Sequence, residues 1–246
     1  MSFEIIEATW NAPRRVRAVC TTRYGGCSSD PFESFNLASH VGDEVTRLAE
    51  NRKFLRRRLN LPGEPCWLKQ THGTHVVNLD QDKKRRADAA ITRRSGTIAV
   101  VLTADCLPIL LCNRAGTEVA AVHAGWRGLV DGVIQATVDQ MESPTNQLLA
   151  WIGPAISQHC FEVGEEVRNQ FLARFPRANA HFKANRAGHW LCNLPGLAVD
   201  ILGQLGVTEI HRADYCCYTD EALFFSYRRN HPTGRMASLI WIDSDA

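Results

Sequence analysis

The sequence has no run of about 18 apolar residues, the length that a membrane-spanning helix needs. Its richest stretch, IAVVLTADCLPILLC (98–112), is broken by Thr103, Asp105 and Pro108. It also lacks a dominant charge: 28 Lys and Arg stand against 26 Asp and Glu, a net of +2. A dedicated nucleic-acid binder carries a strongly basic face, and an acidic disordered chain is excluded by the same balance. The opening residues, MSFEIIEATWNAPRRVRAV, have no long apolar core and carry early acids, so they do not form a signal peptide. No membrane partner and no nucleic-acid partner are expected, and the expected location is cytoplasmic.

Two further absences concern metals. None of the nine cysteines forms a Cys-X-X-Cys pair, which removes zinc ribbons and thioredoxin-like sites. An odd number of cysteines cannot all pair, and in a reducing cytosol thiols or metal ligands are expected instead. The nine histidines contain no His-X-His pair, and there are three methionines. A multicopper oxidase builds a type 1 and a trinuclear centre from many such ligands. No internal repeat, low-complexity tract or Gly/Ser linker appears. The length of 246 residues and dispersed prolines fit one domain over 1–246.

What is present reads as alternating strands and helices. Residues 44–59 (EVTRLAENRKFLRRRL) space Val45, Leu48, Leu55 and Leu59 as a surface helix. Short apolar runs at 98–102, 108–112, 118–123, 148–152, 207–211, 222–227 and 236–242 read as strands. Val130, Val133, Ile134, Val138 and Met141 predict an amphipathic helix over 128–142. Two more helices are expected over 163–175 and 195–205, the second with Pro195 in its first turn. The order has no regular βαβ cadence. It predicts an α+β fold, mixed β-sheets packed with covering helices.

Three segments carry metal-capable side chains at expected strand ends or turns: KQTHGTHV (69–76), TADCLPILL (103–111) and AVHAGWRG (121–128). Their His72, Cys106 and His123 are good zinc donors, and three protein ligands leave the open fourth position of a catalytic ion. The gaps of 34 and 17 residues match no local zinc motif. Spacing alone equally fits hydrogen-bonded core histidines and a small apolar cysteine. Asp105, placed on a strand, would point away from Cys106. His75 is a candidate for an additional ligand. Arg23, Arg127, Arg228, Arg229 and Arg235 offer planar forks for phosphate or carboxylate.

The segments KQTHG, TADCLPILL, HAGWRG, WIGPAI and LFFSYRR…TGRM, in this order, resemble those of the bacterial YfiH family, also called the laccase-domain or peptidoglycan editing factor family. The resemblance runs from TTRYGG (21–26) through MASLIWI (236–242). It implies a YfiH-like sandwich and a metal site of His72, Cys106 and His123, which are also the catalytic set. It implies Arg23, Arg228 and, more weakly, Asn36 as substrate-binding residues. The implied activity is zinc-dependent purine nucleoside phosphorolysis with adenosine deamination. Adenosine, inosine, guanosine or methylthioadenosine, with phosphate, would be the small-molecule partners.

Three other readings accompany it. One is hydrolysis of L-Ser from the precursor UDP-MurNAc-L-Ser. The second is a polyphenol oxidase; Cu²⁺ outbids Zn²⁺ for such ligands, so copper occupancy in vitro is compatible with a zinc protein. The third is a cysteine hydrolase with Cys106 as nucleophile. One departure is visible: Cys216-Cys217 stands where the family commonly has Cys-Thr.

Overall fold

The structure, a computed structural model, describes residues 3–244. Alternation along the strands decides its layers. In the Leu107–Asn113 strand, Leu107, Ile109 and Leu111 face one apolar core, while Leu110 and Cys112 face another. Val119–Ala124 does the same with Ala120, Val122 and Ala124 against Val119 and Ala121. A strand buried on both sides has a period of two but no polar face, which is why these segments read as continuous apolar runs.

Six strands form the larger sheet, in the spatial order Glu209–Arg212, Leu148–Ile152, Leu107–Asn113, Val119–Ala124, Ala89–Thr92 and Val76–Asn78. The two edge pairings are parallel and the three inner ones antiparallel. A second sheet orders Ile5–Glu7, Val16–Thr21, Met236–Ile242 and Ala99–Thr103. The sheets share the core built from Val101, Leu110, Ala121, Trp151 and Ile240. Helices Trp126–Asp131, Val133–Gln140, Glu165–Arg174 and Leu194–Gln204 cover the outer face of the larger sheet. The helix Val45–Arg58 covers the smaller one through Leu55, packed with Phe35 and Leu37. The arrangement is the mixed-sheet α+β sandwich that the pattern predicts.

Two local expectations are corrected. The helix over 128–142 is two helices, because Gly132 takes φ 100, the left-handed conformation that ends a helix. Residues 222–227 form no strand, although Phe224, Phe225 and Ser226 among them are buried. The backbone N–H of Phe225 donates to Met236 Sδ at 3.1 Å, and the carbonyl of Phe224 accepts from Arg229 at 2.7 Å. These groups are satisfied by side chains rather than by a ladder.

Candidate metal centre and its cavity

Sheet register gathers the three donors at one end of the larger sheet. Leu107 pairs with Ala124, so Cys106, just before one strand, meets His123, at the end of its neighbour. Ala89 pairs with Val122 and with Val76, which brings Asp88 and the turn carrying His72 to the same edge. Residues far apart in sequence thus meet because four strand ends coincide.

Asp88 fixes two of the donors. Its buried carboxylate accepts backbone N–H groups from Thr71, His72 and Gly73 at 2.8–3.1 Å, and the Thr71 hydroxyl at 3.0 Å. These bonds hold the turn in which His72 takes φ 59, in the left-handed region. The same carboxylate lies 2.8 Å from His123 Nδ1. A carboxylate only accepts, so Nδ1 carries the hydrogen and Nε2 is left with its lone pair for an ion. Burial pushes the Asp88 carboxyl up, but the His123 and backbone hydrogen bonds outweigh it and hold it at about 2.

The donor atoms of His72, Cys106 and His123 lie within 4.8 Å of one another. His72 Nε2 is 3.9 Å from Cys106 Sγ, and the two imidazoles meet edge to face at 4.7 Å between centroids. Tetrahedral zinc, with bonds of about 2.3 Å to sulfur and 2.0–2.1 Å to nitrogen, sets such donors roughly 3.6 Å apart, so the group fits. Burial raises the Cys106 thiol, yet hydrogen bonds from His123 and His72 bring it down to about 6. Burial lowers His123, and Asp88 and Cys106 more than reverse that, to about 9. Each group favours the charged form of the other, and a bound ion takes the place of the protons between them.

Gly125 lets the donors approach. A Cβ there would stand 2.8 Å from His72 Cδ2 and 3.1 Å from Cys106 Sγ. Gly125→Ala is expected to keep the fold and weaken zinc binding about ten-fold or more, since it displaces one of two donors. Chelator competition measures this; unchanged affinity would mean that the donors do not converge as described.

The centre opens on a cavity of about 400 Å³. His40, Gln70, Trp126, Phe161 and Tyr227 line it, with the guanidinium-bearing Arg127, Arg228 and Arg235. Asp105 is the only carboxylate of that lining. Its φ of 87 takes it off the strand, so the alternation expected from sequence does not apply. Oδ2 accepts the Arg228 backbone N–H at 2.7 Å, while the buried Oδ1 has no partner. Burial raises the Asp105 carboxyl, against the pull of that N–H. Burial also lowers His40, and the nearby Arg235 charge lowers it further.

Of the expected substrate residues, Arg228 lines the cavity; its guanidinium donates to the Glu162 carbonyl and lies over the Phe161 ring. Arg23 lies outside this lining. It donates to the carbonyls of Glu33 and Glu221 and stacks on Phe225. Asn36 is fully buried and ties Ala38, Asp43 and the backbone N–H of Arg235. His75 is not in the donor group; its carbonyl accepts from Asp88 and Ala89.

A family described as multi-copper polyphenol oxidoreductase laccase matches residues 17–243. The chain belongs to this family. A Pseudomonas aeruginosa protein named purine nucleoside phosphorylase is 47% identical over 234 residues, covering 95% of this chain and 96% of its own. The Escherichia coli YfiH protein, named purine nucleoside phosphorylase, is 46% identical, covering 97% and 99%. Among solved structures, a Neisseria meningitidis protein superposes with a TM-score of 0.94 at 42% identity, covering 98% and 99%. A Bacillus licheniformis YfiH protein gives 0.88 at 27%, covering 93% of each chain.

The laccase in the family's description requires several copper centres. Among the described residues one group of three donors is found. Sequence reasoning missed Asp88, the residue that orients this group. Its signal was present: a lone carboxylate inside the apolar run Ala87–Ile91, where a charge must have partners. His40 and Gln70 carried no comparable signal.

Proposed function

We propose that the protein is a zinc-dependent purine nucleoside phosphorylase that also deaminates adenosine. The observation that carries the reading is a three-donor group, one of its histidines exposed, at the wall of a cavity lined by three arginines. The names of the similar proteins supply the purine nucleoside. A volume of about 400 Å³ suits a nucleoside better than a nucleotide-linked sugar peptide.

His72, Cys106 and His123 would hold the ion. Bound zinc supplies Lewis-acid polarisation and offsets developing negative charge. In phosphorolysis a phosphate oxygen bonds to C1′ of the ribose as the glycosidic bond breaks and its electrons leave with the base. Arg228, Arg127 and Arg235 bring the phosphate into the cavity and fix its orientation. Phe161, Tyr227 and Trp126 offer the purine apolar faces and exclude water.

The test is incubation of zinc-loaded protein with inosine and with adenosine, with and without phosphate. Base and ribose 1-phosphate should appear only with phosphate, and adenosine should also yield inosine and ammonia. Absence of phosphate-dependent base release would refute the phosphorylase, and absence of ammonia the deaminase. Arg228→Lys keeps the charge but loses the fork. It should raise KM for phosphate roughly ten-fold with a smaller change in kcat; an unchanged phosphate KM removes Arg228 from the phosphate site.

A further inference from the structure

A second cleft, of about 450 Å³, lies behind the first. Ile156 lines both, so the segment after Gly153-Pro154 is their shared wall. Cys216 faces the second cleft. It is held there by reciprocal bonds with Asp220: its N–H donates to Oδ2 at 2.9 Å, and its carbonyl accepts the Asp220 N–H at 2.9 Å. The Ser157 backbone N–H donates to Cys216 Sγ at 3.3 Å. A donor aimed at sulfur stabilises its thiolate. Ser157 also accepts the Cys160 N–H through its carbonyl at 3.1 Å, which turns Cys160 back toward the same place. Cys216 is near enough to Cys160 to act on it electrostatically, raising its thiol.

The other thiols behave differently. Burial raises Cys20, Cys112 and Cys192 to about 12, and raises Cys217 well above its ordinary value. The exposed Cys27 is also raised, first by partial desolvation and then by Glu50. At Cys216 burial acts upward too, but the hydrogen bonds from Ser157 and Thr219 prevail and bring it to about 7. Outside the metal centre it is the one cysteine that is made more acidic.

The geometry points to Cys216 as a peroxide-reactive thiol with Cys160 as its resolving partner. The Cys216 thiolate attacks one peroxide oxygen; the O–O bond breaks and hydroxide leaves, giving a sulfenic acid. Cys160 then attacks that sulfur, the S–O bond breaks, water leaves and a disulfide forms. The two thiols lose two electrons and the peroxide gains them. A small-molecule thiol reverses the bridge. The cleft admits a molecule as small as hydrogen peroxide while Cys217, next in sequence, stays sealed in the core.

The experiment treats the full chain at pH 7 with limiting hydrogen peroxide, alkylates remaining thiols and maps peptides by mass spectrometry. The expected product is a Cys160–Cys216 bridge, formed at least ten-fold faster than any oxidation of exposed Cys27. Cys160→Ala should trap the sulfenic acid at Cys216, read as a dimedone adduct. Cys217→Ala should leave the bridge unchanged. Oxidation of Cys27 first, a Cys216–Cys217 bridge, or no adduct at Cys216 in Cys160→Ala would each overturn the assignment.

Discussion

Cys106→Ser is expected to lose most of its bound zinc and about 10³-fold or more of its phosphorolytic rate, while remaining folded. A serine hydroxyl does not ionise near neutral pH, so the one soft, anionic donor of the group disappears. The fold depends instead on apolar cores in which Cys106 takes no part. Three measurements together separate the readings of this cysteine. Elemental analysis follows the metal, thermal unfolding follows the fold, and chelation of the wild type follows the mechanism. A structural zinc would make the variant unfold. A cysteine nucleophile would leave wild-type activity intact after chelation. The account predicts the opposite in both: a folded variant, and a wild type silenced by chelator and restored by zinc.

Asp88→Asn should weaken zinc binding about 10–100-fold, although Asp88 touches no ion. The reason is the tautomer. An asparagine that turns its amide toward His123 donates to Nδ1, and the imidazole hydrogen moves to Nε2, the atom the ion needs. Turned the other way, the amide N–H groups oppose the N–H groups of Thr71, His72 and Gly73. Either orientation leaves a buried donor without an acceptor, a cost of about 1–3 kcal/mol.

The pH dependence has a definite sign. The folded Asp88 carboxyl sits at about 2, below its ordinary value of 3.8. A depressed acid contributes stability in full above its unfolded value, and that contribution is lost as pH falls through the folded one. The gap in urea midpoint between wild type and Asp88→Asn should therefore shrink as pH falls below about 4. A gap that widens on acidification would contradict the carboxylate's role.

Strands such as Leu107–Asn113 and Met236–Ile242 were legible because burial on two sides leaves unbroken apolar runs, whereas Val16–Thr21, Ala89–Thr92 and the sheet of Glu162–Gly164, Phe182–Arg186 and His189–Cys192 were not read from the sequence. The edge strands Ile5–Glu7 and Val76–Asn78 were not legible either, since three residues carry too little pattern. The metal donors were visible through ordered motifs, not through spacing. Their convergence is a property of sheet register, which no local interval encodes. Asp105 lies on no strand, because its left-handed backbone stands between Ala99–Thr103 and Leu107–Asn113. Arg23 and Asn36 illustrate the reverse. Both belong to matching segments, yet neither lines the cavity: their polar atoms are spent on carbonyls, Asp43 and the backbone N–H groups of Ala38 and Arg235.

Zinc K-edge absorption of the metal-loaded protein tests the centre most directly. One sulfur at about 2.3 Å, two imidazoles at about 2.0–2.1 Å and one further light atom from a non-protein ligand are expected. A first shell with two sulfurs, a third imidazole, or no sulfur would contradict it.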